Sequence, residues 1–239
     1  MQGVEVYPDT ETLARAAANR IASILQQTLA EKESATLVLT GGSTPKPVYE
    51  LLSLPAYSAQ VEWSRVHLFW GDERCVPPNH PESNFGMAWD ALVSKIPVPP
   101  AYVHRMPGEM PDAEEAASLY ETEIKSALPG LAPPSFDLVL FGMGKDGHTA
   151  SLFPGTHWDE NRLVIANKVP ETGARRISMT PRIFNKAHAG LFLVAGLDKS
   201  QVLAEVLKNP ASGLPAAAIR PEGSLTWMID EAASNLIRD

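Results

Sequence analysis

The sequence predicts a doubly wound α/β fold, a mostly parallel, Rossmann-like sheet with helices on both faces. Three observations predict it. Apolar runs at 35–40, 136–141 and 189–195 are short and continuous rather than alternating, which is how strands buried on both faces read. Segments with helical spacing lie between such runs. Several runs end in glycine, at Gly41, Gly71, Gly142 and Gly196, where the chain is expected to turn at the sheet's edge.

Taken in order, residues 4–7 read as a first strand. Asp9 or Thr10 caps a helix running to about residue 29, whose apolar face carries Leu13, Ala17, Ile21, Ile24 and Leu25. The strand at 35–40 ends in Gly41-Gly42-Ser43-Thr44, and Pro45 suits the first turn of a helix over 48–52. A strand at 66–70 runs into Gly71-Asp72-Glu73-Arg74. Residues 112–128 form a helix with an acidic start. The strand at 136–141 runs into a glycine-rich loop ending at His148, and the strand at 189–195 precedes a helix from about 199 to 207. Residues 175–180 and 224–228 read as later strands, candidates for a small side sheet. The proline-rich stretches at 97–100 and 133–134 are connectors within one alternating pattern, not domain linkers.

One domain over 1–239 is expected. A chain of 239 residues with 44% apolar and 20% charged side chains resembles ordinary globular proteins. At this size roughly 70–75% of the unfolded surface is buried, so no disulfide or structural metal is needed. The single cysteine, Cys75, excludes an intrachain disulfide, and no Cys/His zinc spacing occurs. The formal net charge of −8 disfavours nucleic acid as a partner. A small anionic substrate needs only a local basic pocket. The N-terminal segment has no signal-peptide core, and no apolar run approaches the ~20 residues of a bilayer span. A cytoplasmic protein with no membrane partner is the expectation.

Ligands of open α/β sheets bind beyond the carboxyl ends of the strands, which directs attention to three loops on one edge. In Gly41-Gly42-Ser43-Thr44-Pro45, glycines, hydroxyls and a helix start fit an anion; a plain turn with a helix cap fits equally. In Gly71-Asp72-Glu73-Arg74, the carboxylates and arginine suit catalysis or polar substrate groups, but the local pattern alone favours an exposed loop with an internal ion pair. Cys75 beside it reads as a small buried hydrophobe rather than a nucleophile. The third loop, Gly142 to His148, carries Gly142, Gly144 and Gly147 with Asp146 two residues before His148. Its glycines imply special backbone angles or close ligand approach, and histidine suits proton transfer near neutral pH. Its spacing fits neither the dinucleotide nor the P-loop fingerprint. Arg175-Arg176 and Lys199, at strand boundaries, have the chemistry to grip a phosphate, although surface charges of this kind are mostly solvated.

Together these segments resemble the 6-phosphogluconolactonase family, within the wider group that includes glucosamine-6-phosphate deaminases. The resemblance spans nearly the whole chain: Thr40 to Pro45, Gly71 to Arg74, Ser83-Asn84, Gly142 to Gly155, Arg176 to Thr180, Gly196 to Lys199, Leu214 to Ala217, and Leu225-Thr226-Trp227. It implies hydrolysis of 6-phospho-D-glucono-1,5-lactone to 6-phosphogluconate in the oxidative pentose phosphate pathway, with no metal or organic cofactor. It matches His148 to the catalytic histidine and Arg176 and Lys199 to phosphate-binding positions, with Gly41, Gly42, Ser43 and Thr44 supporting that phosphate. Deaminases of this group carry an asparagine-glutamate pair where this chain has Leu152-Phe153, and tend to have an aromatic residue in the place of Arg74; both departures favour the lactonase. His148 is then expected to act as general base on water, with the glycine-loop amides or Arg74 stabilising the oxyanion. Asp146 orients His148 or holds the loop, and Asp72 binds sugar hydroxyls or positions the water. A monomer or homodimer is expected. The rival readings are a glucosamine-6-phosphate deaminase and a non-catalytic sugar-phosphate sensor, which usually carries a fused DNA-binding segment.

Overall fold

The computed structural model describes residues 2–130 and 133–237. Its centre is a seven-stranded sheet in the order β1-β10-β9-β6-β2-β3-β5, every neighbouring pair parallel. In chain order these strands are β1 (Gln2–Tyr7), β2 (Ala35–Leu39), β3 (Val66–Trp70), β5 (Val103–His104), β6 (Leu138–Phe141), β9 (Ala189–Val194) and β10 (Ser224–Asp230). A second, antiparallel sheet of three strands runs β4-β8-β7: β4 (Asp72–Arg74), β8 (Arg175–Met179) and β7 (Val164–Lys168).

The continuous apolar strands are buried on both faces, as their composition predicts. One face sets Leu37, Leu39, Leu68, Leu140 and Leu191 against α1 (Thr10–Glu31), α2 (Pro45–Ser53) and α4 (Asn84–Ala91). The other sets Val38, Phe69, Val139, Phe141 and Phe192 against α5 (Ala113–Ala127), α6 (Pro181–Phe184), α7 (Ser200–Lys208) and the small sheet. Between α2 and β3 lies a further short helix, α3 (Pro55–Ser58). No helix among the described residues is long and apolar enough to cross a membrane.

Of the two cap candidates read for the first helix, Asp9 is the cap, and Asp112, read as the first residue of its helix, caps it instead. Asp9 accepts from the Thr12 amide at 2.7 Å, and Asp112 accepts from the Glu114 and Glu115 amides, each meeting donors that a first helical turn leaves unpaired.

Four features differ from the sequence-based expectation. Residues 224–228 join the main sheet between β1 and β9 rather than a side sheet, because Leu225, Trp227 and Ile229 face one core while Met228 faces the other. The segment 72–74, read as a loop, is a strand whose partner β8 lies about a hundred residues on. The side sheet is completed by β7, and α4 is capped by Ser83, whose side chain accepts from the Gly86 amide; these elements are too short, or too dependent on distant partners, for periodicity to reveal.

β2 lies between β3 and β6. From β2 the chain moves outward to β3 on one side, and from β6 it moves to β9 on the other, so the connections leaving β2 and β6 diverge and open a crevice at their carboxyl ends. At the opposite ends the pair is locked by Asp137. Its carboxylate accepts from the Thr36 amide and hydroxyl, both at 2.9 Å, and meets Lys32, while its own amide donates to Thr36 Oγ1 at 2.7 Å. Asp137→Ala leaves a buried amide without an acceptor and should lower stability by about 1–3 kcal/mol. Urea unfolding checks this; an unchanged midpoint would mean that the lock contributes nothing.

Candidate active site

The crevice at the β2/β6 switch is a cleft of about 230 Å³, lined on one side by Thr40 to Pro45 and on the other by Gly142, Met143, Gly144 and His148. Asp72, Arg74, Asn84, Ala150, Leu193 to Ala195 and Lys199 complete the wall; Arg176 is not among the residues that line it. The three loops singled out in the sequence therefore meet in one place.

The loop after β2 is held at its root by Tyr49 of α2, whose hydroxyl donates to the Thr40 carbonyl at 2.8 Å and accepts from the Thr40 amide at 2.9 Å. Gly42 has φ +107°, a conformation that favours glycine. Thr44 precedes α2 without making a side-chain capping bond. Its hydroxyl is not spent on the helix, which favours the anion-binding reading over a plain capped turn. Pro45 and Pro47 lack amide hydrogens, so the donors at this helix start come from Ser43, Thr44 and Lys46.

The loop after β6 folds back on itself. The Gly144 amide donates to the His148 carbonyl at 2.9 Å, the Gly147 amide to the Gly144 carbonyl at 3.1 Å, and Thr149 Oγ1 to the Gly142 carbonyl at 2.8 Å. This brings Asp146 Oδ1 within 2.6 Å of His148 Nδ1 and 3.2 Å of the His148 amide. A carboxylate has no hydrogen to give, so Nδ1 donates, and in the neutral form of the ring Nε2 keeps its lone pair. Burial pushes the Asp146 carboxyl up, but the imidazolium charge of His148 and the bonds from its amide and ring outweigh that and hold it below the usual carboxylate range. The Phe153 ring lies against His148, centroids 5.1 Å apart. Gly144 has no room for a side chain: a Cβ there would sit 2.1 Å from His148 Nδ1.

The small sheet supplies the remaining charges. Asp72 is buried; its Oδ2 accepts from Ser151 Oγ at 2.6 Å and its Oδ1 from Asn84 Nδ2 at 3.2 Å. Burial pushes the Asp72 carboxyl up, against the pull of the Ser151 bond and of Arg74, His148 and Arg176. Glu73 points elsewhere. It is buried and accepts from the amides of Arg74, Asn84 and Phe85, each at 2.7 Å, and from Ser83 Oγ at 3.0 Å, tying β4 to the start of α4. The exposed loop with an internal ion pair is thus not what forms. Arg74 instead donates to the Glu82 carbonyl at 2.6 Å.

Arg176 stands directly across from Arg74 in the β4/β8 register. Its Nη1 donates to the Arg175 carbonyl at 3.1 Å, and burial and the Arg74 charge both disfavour its own charge while Asp72 favours it. Like charges directly opposite on a sheet repel, so the pair suits an anionic ligand. Lys199 is half-buried at the cleft wall, with Asp198 at 3.1 Å, rather than freely solvated. Cys75 is half-buried, and burial pushes its thiol up, consistent with the reading that it is no nucleophile. Among the described residues no cluster suited to a metal ion occurs.

The sequence placed Gly144 in the third loop, and Asn84 and Ser151 in stretches that carry the family resemblance, but gave none of the three a role of its own. Asn84 packs its amide where a Cβ on Gly41 would lie, 1.8 Å from Asn84 Oδ1. Only the glycine at 41 hints at such a close approach. In His148→Ala the ring charge and ring bond vanish while the residue-148 amide stays. Asp146 should then titrate at higher pH than in the wild type, as followed by carboxyl ¹³C NMR; an unmoved titration would show that ring and carboxyl are not coupled.

A family model described as glucosamine-6-phosphate isomerases/6-phosphogluconolactonase matches residues 8–227. A relative from Synechocystis sp., named 6-phosphogluconolactonase, is 37% identical over 242 residues, spanning 98% of this chain and 98% of its own. The crystal structure of 6-phosphogluconolactonase from Thermotoga maritima superposes with a TM-score of 0.83 at 32% identity, over 97% of this chain and 100% of that one. A monomeric glucosamine-6-phosphate deaminase superposes equally well, TM-score 0.83 over 98% of this chain and 99% of that one, but at 21% identity, a likeness of fold alone. The chain belongs to the glucosamine-6-phosphate isomerase/6-phosphogluconolactonase family of enzymes.

Proposed function

We propose that this protein hydrolyses 6-phospho-D-glucono-1,5-lactone to 6-phospho-D-gluconate, with His148 as general base. The observation that carries the reading is the Asp146–His148 pair, whose Nε2 has no hydrogen-bond partner among the described residues, at a cleft that also holds Lys199 and the Gly41–Thr44 loop before α2. Nε2 takes a proton from water as the oxygen adds to the lactone carbonyl carbon. Negative charge builds on the carbonyl oxygen, where Arg74 or the amides of the Gly142–Gly144 turn stabilise it. The ring C–O bond then breaks, and the imidazolium returns the proton to the leaving ring oxygen. A lactone is an activated ester, so no covalent enzyme intermediate and no cofactor is needed. Lys199, Arg176 and the 41–44 loop hold the phosphate; Asp146 orients the base, and Asp72 orients the reacting water or sugar hydroxyls.

The chain acts on this reading as one domain over 1–239, in the cytoplasm, as a monomer or homodimer, in the oxidative pentose phosphate pathway. The lactonase is favoured over the deaminase because Leu152 and Phe153 occupy the positions of the deaminase pair. Leu152 is fully buried, and Phe153 lays its ring beside His148, so no carboxylate from there reaches the histidine.

The decisive assay generates the lactone freshly and follows 6-phosphogluconate above the spontaneous rate. The wild type should accelerate hydrolysis, and His148→Ala should lose about 10²–10⁴-fold of that rate while remaining folded. Acceleration that survives in His148→Ala would remove His148 from the chemistry; ammonia released from glucosamine 6-phosphate, with no lactone hydrolysis, would establish the deaminase instead. Gly144→Ala, which drives a methyl into the Asp146–His148 pair, should fold and lose kcat to a similar degree. Arg176→Ala and Lys199→Ala should raise KM about 10–100-fold, since each loses a charged contact to phosphate; unchanged KM in both would overturn the phosphate assignment.

A further inference from the structure

Ser151 lies three residues beyond His148 and is 2% exposed. Its three polar groups reach the three strands of the small sheet, one each. Its hydroxyl donates to Asp72 Oδ2 in β4 at 2.6 Å, its amide donates to Ser178 Oγ in β8 at 3.2 Å, and its carbonyl accepts from Asn167 Nδ2 in β7 at 2.9 Å. The His148 loop leaves the main sheet, whereas Arg74 and Arg176 stand on the small one. Ser151 is where the first is fastened to the second.

The backbone beside it is under strain. Ala150 has φ +49°, the one residue other than glycine with positive φ among those described, in a tight turn closed by the Leu152 amide on the Thr149 carbonyl at 3.0 Å. A residue with a Cβ rarely adopts this conformation unless its surroundings hold it there. The bonds of Ser151 are what hold it, and the turn in return delivers the Ser151 hydroxyl to Asp72. The same Asp72 binds Asn84, which packs on Gly41. One buried carboxylate therefore joins the base-bearing loop, the arginine-bearing strand and the anion loop after β2.

We infer that Ser151 is a positioning residue: through the Asp72 carboxylate it fixes His148 relative to the arginine pair and so sets the rate of the chemical step rather than the grip on phosphate. The inference rests on the lactonase reading. Its signature is a split between kcat and KM, because the bonds of Ser151 go to Asp72, Ser178 and Asn167, whereas the root of the 41–44 loop, Arg176 and Lys199 keep anchors of their own in Tyr49, the Arg175 carbonyl and Asp198. Misplacement of a base by about an ångström costs about 100-fold in rate.

The test is a double-mutant cycle on lactone hydrolysis with Ser151→Ala, Asp72→Asn and the pair, each checked by thermal melting for a folded state. Ser151→Ala should lower kcat about 10–100-fold with KM within about threefold, and should add little in the Asp72→Asn background, because residues acting through one contact are not additive. Losses that multiply in full would overturn the inference, as would a Ser151→Ala enzyme with unchanged kcat or a defect confined to KM. If Ser151→Ala does not fold, Ser151→Cys, similar in size with a weak S–H donor, carries the same cycle. A wild-type enzyme with no lactonase activity would sink the functional reading itself, an outcome distinct from an active wild type whose variants fail the cycle.

Discussion

The cleft depends first on the pairing of β2 with β6. Leu37 lies opposite Leu138 and Val38 opposite Val139, and this short register sets the height at which the two loops emerge. A slip of one residue would exchange the two buried faces of a strand, sending Leu37 toward the core that Val38 occupies. Both strands are buried on both faces, so such a slip gains nothing, and the register is specified by the shapes of the two cores together with the Asp137–Thr36 lock. The loops after β2 and β6 then have no choice but to face each other. The Asp146–His148 pair and the 41–44 loop inherit their positions from that arrangement.

The electrostatics of the site run against those of the molecule. The chain as a whole carries a formal −8, yet Arg74 and Lys199 line one cleft and Arg176 stands across from Arg74 in the small sheet. The two arginines bond to backbone carbonyls rather than to carboxylates, an arrangement that holds a guanidinium in place without cancelling its charge. Asp72 is the buried counter-charge, and its hydrogen bonds to Ser151 and Asn84 offset part of the cost of burying it. A negatively charged protein can thus draw a sugar phosphate, since the cleft focuses the local field rather than the net one.

Much of this was legible in the sequence, and the reasons differ by element. The main strands were readable because burial on both faces leaves a continuous apolar run, and the loops because ligand sites of such sheets follow their strands. His148 with Asp146 was readable because the two are local. β4 was not, because three residues carry no period and its partner β8 is remote in sequence. The same remoteness hid the pairing of Arg74 with Arg176, each of which reads singly as a surface charge. Ser151 was hidden most completely: its partners are 16, 27 and 79 residues away, and nothing near position 151 announces them. Residues 224–228, a candidate for the side sheet, belong to the main one, where Leu225 and Trp227 are buried on one face and Met228 on the other.

The two halves of the site differ in how much of the fold they need. The Asp146–His148 bond spans two residues, a contact that forms with little loop-closure entropy and belongs to one turn of chain. The proposed anion grip draws on the chain after β2, the chain after β9 and the small sheet, so its closure is long-range and comes late in folding. A partly folded chain would therefore possess its proton acceptor before it possessed anything to hold a ligand against it. Loosening by heat or denaturant runs the same sequence backwards, and ligand, by binding the assembled cleft alone, draws the remote segments together and stabilises the tertiary structure more than any local turn.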